Sequence, residues 1–305
     1  MRKQGPTLRL SMKPGRTTFL LVFGFALLAA AGCEDPPPTT YIPVPFVEGY
    51  LFVDQPIEGI VVAMTQPITG TYRHADAMVP DAEVTIEAEN ERHVLVYRIV
   101  DGIGSYALPD TSIRVKPETR YKLSVRLQDG RTMHAETVTP ARISWTKPPV
   151  DVLQYPSDTV RLPSPDSLRI AWTAGNSSEF LVRVRCLDTL SYGRYLSPPT
   201  DEENARTNNL DKFETRESPT FYSTTRWGFI QTTSAPTVWT AFRWFGLHEV
   251  AIIAPEKYFL EWFKLTHFGG APQYRSRFSN IRGGAGIFGA ASLVKKEVFV
   301  LKRRR

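Results

Sequence analysis

Disulfides are the first thing this sequence does without. Its 305 residues hold two cysteines, Cys33 and Cys186. A chain of this size with so few rests on hydrophobic cores rather than covalent staples. Histidine is sparse too. His74, His93, His134, His248 and His267 are scattered, and no pair has metal-ligand spacing. There is no His-Glu-x-x-His, no Gly-x-Ser-x-Gly and no Cys-x-x-Cys. The common signatures of zinc hydrolases, serine hydrolases and dithiol redox proteins are therefore missing. No catalytic residue, metal or cofactor is expected, and the chain reads as a non-enzyme. A basic face is lacking as well. The formal charge is +6, but five of the 37 Lys and Arg precede residue 17, and without them the chain stands at +1. Nucleic acid is not an expected partner.

Long apolar runs are also missing. The longest is Phe19 to Ala31, 13 residues, where a spanning helix needs roughly 20. Arg2, Lys3, Arg9, Lys13 and Arg16 precede it with no acid among them, and small residues follow. That order is a secretory signal over 1–32; Met12 is a second candidate start. The run ends Ala30-Ala31-Gly32-Cys33. This resembles the lipobox of bacterial lipoproteins, with Ala30 where Leu is usual. By that resemblance Cys33 becomes an acylated N-terminus. At about 0.8 kcal/mol per buried CH₂, two or three chains such as palmitate anchor stably. The other readings are an ordinary cleaved signal with a free thiol, and an uncleaved membrane anchor.

Residues 34–45 hold five prolines and read as an extended tether of roughly 3 Å per residue. Glu34 and Asp35 follow Cys33 directly. In lipoproteins of the Bacteroidota such acids resemble a surface-export signal; an incidental polar start is the alternative. The expected address is the outer membrane, at the cell surface, with the periplasmic face as the alternative.

From Phe46 onward the pattern is strands. The alternating run 82–88 points Val84 and Ile86 inward. The runs 121–127 and 132–138 flank Asp129-Gly130, a strong hairpin signal. Short strands without intervening helices predict an antiparallel β-sandwich over 46–140, immunoglobulin-like or transthyretin-like. Six prolines in 140–165 place a linker at 141–165. Ser167 to Trp172 and Glu179 to Leu187 open a second β-module, 166–305, fibronectin type III-like, with Trp172 in its core. Cys186 shares a face with Val182 and Val184 and reads as a small core residue. Residues 188–218 are polar and read as a long exposed loop.

Aromatics crowd residues 221–278, at 15 of 58 positions. Pro255 to His267 predicts a helix with Pro at its first position and Gly269-Gly270 past its end. Its apolar face is Tyr258, Phe259, Trp262, Phe263 and Leu265. Trp227, Trp239, Trp244 and Trp262 are core filling or, where exposed, platforms for a glycan, peptide or protein partner. Gly284 to Gly289 spells Gly-x-Gly-x-x-Gly, but 16 residues remain after it. No βαβ unit fits there. Glycines in such a place suit a strand that approaches another backbone closely.

Several of these stretches together resemble the domain-of-unknown-function 4249 family of Bacteroidota lipoproteins. They are the lipobox Cys33, Phe46 to Gly49, Val79 to Ile86, Gly104 to Tyr106, Thr119 to Tyr121, Pro148 to Asp151 and Ser279 to Gly289. The resemblance implies a β-sandwich architecture, an outer-membrane address and no assigned activity. It also implies an accessory role beside a TonB-dependent transporter in uptake. The alternatives are a structural or adhesive surface lipoprotein and a hydrolase with an unrecognised site.

Overall fold

The computed structural model describes residues 41–67, 71, 73–100, 102–156, 164–187, 199, 225–267 and 279–302. Cys33, the signal 1–32, Glu34, Asp35, the loop 188–218 and Gly269-Gly270 lie outside the described residues, apart from 199 in the loop. The protein is mainly β. The strands are β1 (Pro45–Phe52), β2 (Val61–Met64), β3 (Glu83–Ala88), β4 (Glu91–Val100), β5 (Ile103–Ala107), β6 (Arg120–Arg126) and β7 (Thr132–Val138). Then come β8 (Trp145–Lys147), β9 (Val152–Gln154), β10 (Ile170–Trp172), β11 (Phe180–Cys186), β12 (Thr225–Ile230), β13 (Ser234–Ala235), β14 (Gly246–Pro255) and β15 (Ala285–Leu301). Two α-helices are described, α1 (His74–Ala77) and α2 (Lys257–His267).

Residues 83–138 fold as alternation dictates. They give a five-stranded sheet in the order β5-β4-β3-β6-β7. Val84 and Ile86 are fully buried, as are Leu123 and Val125 opposite them. Gly130 supplies the positive φ of 87° in the β6–β7 turn, a value that glycine adopts without strain.

The seven-stranded sheet, ordered β12-β11-β14-β15-β1-β2 with β9 beside β15, is built from both ends of the chain. β15 pairs antiparallel with β14 and parallel with both β1 and β9, so this one sheet is mixed while the other pairings are antiparallel as expected. Pro43–Arg305 forms one compact unit. The expected division into 46–140 and 166–305 does not part the sheets, because β1 and β15 lie side by side. Gly286 makes that approach possible. Its φ is 113°, and a Cβ there would stand 1.9 Å from the Val47 carbonyl oxygen. The segment expected as a linker is divided between sheets. β8 joins β10 in a three-stranded sheet, while β9 joins β15.

One face of the seven-stranded sheet meets two cores. Val47, Leu51, Phe288 and Ala290 pack on the five-stranded sheet. Val184, Val250, Ile252, Val298 and Val300 pack on Ile170, Trp172 and Trp239. The opposite face carries α2, whose Phe259 and Phe263 meet Leu181, Ile253 and Ala291. The helix start differs from expectation. Pro255 is the buried last residue of β14, and Glu256 caps the helix through hydrogen bonds from the Tyr258 and Phe259 amides, at 2.8 and 2.7 Å. A cap carboxylate satisfies donors that a proline there leaves open. Of the expected apolar face, Tyr258 is exposed; Leu260 packs on the sheet in its place.

Candidate functional site

The aromatic-rich stretch encloses a cleft of about 480 Å³. Its floor is the seven-stranded sheet: Val182 and Val184 of β11, Val250 of β14, and Gly228 and Ile230 of β12. The facing wall is Ala235 to Phe242 with Ile170, and Pro149 and Leu153 lie at one side. A single turn of 3₁₀ helix, Trp239–Ala241, shapes the wall. Thr237 pins it by donating its hydroxyl to the Leu168 carbonyl at 2.8 Å. Trp239 anchors it from behind, 5% exposed and edge-on to Tyr155 at 5.6 Å. A β-carbon at Gly228 would find nothing nearer than Val182 at 3.8 Å. The missing side chain is therefore part of the open space.

The lining is mostly apolar. Val238, 52% exposed, stands at it as uncovered apolar surface. Phe229 borders it too, but it pairs with Leu181 and so turns its ring to the helix face of the sheet. Lys264 of α2 lies over the Phe229 ring at 4.5 Å. Thr240 and Arg226 add polar groups. An apolar cavity with a few polar groups suits an apolar or amphipathic ligand segment.

The four candidate tryptophans separate. Trp239 and Trp244 are interior, so neither is a surface platform. Trp262 is half-buried and packs its ring on Phe46 of β1 at 6.3 Å. Trp227, also half-buried, borders the cleft from β12. Its ring lies edge-on to Phe263 at 4.8 Å, with the Arg183 guanidinium 5.7 Å from its centre. Trp172 and Cys186 are buried, as their strand positions require.

Two ionisable groups beside these cores are interior. His248 is 1% exposed, and its ring meets Phe242, a cleft-lining residue, at 5.2 Å. Its Nδ1 lies 2.9 Å from the Gly246 carbonyl, so that nitrogen carries the proton. Burial pushes its pKa down to about 4, and the ring is neutral near pH 7. Glu249, on the helix side of β14, is held by Arg183 at 2.6 Å, Lys295 at 3.4 Å and Arg185 at 3.5 Å. A buried carboxylate so paired is a structural group. Among the described residues no three His, Cys, Asp or Glu side chains are grouped to hold a metal.

The family model described as "Domain of unknown function (DUF4249)" matches residues 43–250. This chain belongs to that family. The match takes in the five-stranded sheet and every residue that lines the cleft, from Pro149 to Val250. The glycine-rich stretch Ser279 to Gly289 lies beyond it. No curated protein matches the chain.

Proposed function

We propose that this protein is a lipid-anchored binding lipoprotein of the outer membrane, an accessory subunit of a TonB-dependent transporter. Its recognition element is the apolar cleft over β11 and β12. The observation that carries the binding role is the cleft itself: about 480 Å³ of mostly apolar space, bordered by exposed Val238. Purely structural strands gain by filling such space, because an unfilled apolar cavity costs stability in proportion to its volume. The anchoring role is supported by the signal-like run 19–31 and Cys33 at its end. The ligand is an apolar or amphipathic group, the acyl or aromatic part of a nutrient or peptide.

Filling the cleft tests this. Gly228→Leu places a side chain into the opening where ordinary van der Waals space exists. The probe is 1-N-phenylnaphthylamine, whose fluorescence rises in apolar pockets. The expected result is bright, saturable binding to the parent chain and loss of it in the variant at an unchanged melting temperature. Equal binding to both removes the cleft from the reading and leaves the structural or adhesive lipoprotein.

A further inference from the structure

The five-stranded sheet carries an apolar hairpin tip. β4 and β5 pair from Val96 with Ala107 to Val100 with Ile103. Alternation puts Val94, Val96, Val100 and Ile103 on the face turned from the core, and Ile99 on the other. Val94, Ile99, Val100 and Ile103 are all more than half exposed, Ile99 at 68%. Arg98 is exposed among them; Asp101 lies outside the described residues. Edge hairpins in soluble proteins are usually blunted with polar residues. A tip apolar on both faces needs something to meet.

The path of the chain says what that is. Val84 of β3 stands opposite both Leu95 of β4 and Val125 of β6. β4 and β6 therefore run the same way, and their two turns lie at one end of the sheet. Gly102 is seven residues past Leu95, and Asp129 is four past Val125. At about 3.3 Å per residue the β4–β5 tip projects farther, by about 10 Å. Arg131, at the β6–β7 turn, donates from Nη1 to the Pro43 carbonyl at 3.2 Å. The chain that leads back to Cys33 thus leaves the folded body at the end where the tip projects. Nine residues lie between Cys33 and Pro43, and the ten steps between them reach at most about 35 Å.

We propose that the β4–β5 tip is a membrane-docking element. Ile99, Val100 and Ile103, with Val94 and Val96 behind them, seat at the headgroup–acyl boundary of the bilayer that holds the anchor. Apolar groups of interfacial elements bury about 5–10 Å at that boundary, and Arg98 meets the lipid phosphates. This rests on Cys33 being the lipid anchor. A lipid on a flexible tether holds the body near the membrane but does not orient it; a second contact does.

The test uses the full lipidated chain in vesicles of phosphatidylethanolamine and phosphatidylglycerol doped with a nitroxide lipid. Ile103→Cys carries a nitrobenzoxadiazole label; Cys33 is acylated on this reading, and Cys186 is buried. Val138→Cys is the control, an exposed position paired with Arg120 at the opposite end of the same sheet. Ile99→Cys repeats the measurement should Ile103→Cys fail to fold. The expected result is loss of fluorescence at 103 by lipid quenching with the signal at 138 retained. Vesicle-bound protein quenched at neither site overturns the docking tip and leaves the anchor standing. Quenching at both sites overturns it too, since no orientation is then fixed. Protein that does not float with the vesicles overturns the anchor and the tip together. A label shielded in native outer membranes but unquenched in protein-free vesicles assigns the tip to a protein partner and overturns the lipid contact.

Discussion

The outer face of the five-stranded sheet carries Glu83, Glu87, Arg92, Arg120, Lys122, Arg126 and Glu136, joined by ion pairs across the strands. The seven-stranded sheet carries a hydrophobic core on each face. A sheet wet on one side writes its fold into the sequence as strict alternation. A sheet covered on both sides does not. β7 alternates buried and exposed without a break, whereas nine of the ten residues of β14 are buried. The first sheet is fixed mainly by hairpins between neighbours. The second is fixed by β15, which meets β1 from the far end of the chain.

That contrast explains what was legible. The β6–β7 hairpin follows from Asp129-Gly130, and the inward set from Val84 and Ile86. Trp172 reads as core because a large aromatic on a strand between turn signals has nowhere else to go. The parallel pairing of β1 with β15 leaves no local trace, since register between strands so far apart depends on no turn. Two modules were therefore expected where one shared sheet stands. Pro255 misled at the helix start because proline suits both a first helical turn and a strand end. The cleft was legible only in part. Its lining comes from segments spread over Pro149 to Val250, and of the four candidate tryptophans only Trp227 borders it, with its ring turned to the helix face. Gly228, a glycine inside an aromatic strand, was the available signal, because such a residue often marks close approach by a ligand or another backbone.

The sharpest way to break the comparison is to separate the strands that the second sheet alone requires. Gly286→Val forces a side chain into the Val47 backbone and into an unfavourable φ. The expected loss is at least about 4 kcal/mol, read as a collapse of the melting temperature or as insoluble protein. A variant that melts within a few degrees of the parent would show that β1 and β15 do not pair this closely.

A smaller effect comes from His248, buried within the second sheet. Its folded pKa of about 4 lies below the ordinary 6.5. The unfolded chain therefore binds a proton that the folded chain refuses. Stability is full above pH 6.5 and falls as pH drops toward 4, by about 3 kcal/mol in all. Glu256 works the other way, since burial raises its carboxyl and favours the protonated form. Asp54, held low by its hydrogen bonds from Arg142, loses its contribution only below the usual carboxylate range. His248→Leu should flatten the stability profile between pH 4 and 6.5 relative to the parent. Parallel profiles for the two chains would mean that the imidazole is solvated in the folded state.

The smallest effect belongs to the wet face of the first sheet. Glu83 lies 3.2 Å from Arg92 and 3.1 Å from Arg126, with all three side chains about half exposed. Pairs of that kind exchange water for a partner at little gain and lose side-chain freedom in doing so. Glu83→Gln keeps the shape and removes the charge. It should cost less than about 1 kcal/mol in a urea titration. The difference should shrink between 0.1 and 1 M salt, as the screening length falls from about 10 to about 3 Å. A cost above about 2 kcal/mol, unchanged by salt, is the behaviour of a desolvated pair. That outcome would mean that another surface covers this face in solution, and the contrast between one wet sheet and one dry sheet would no longer hold.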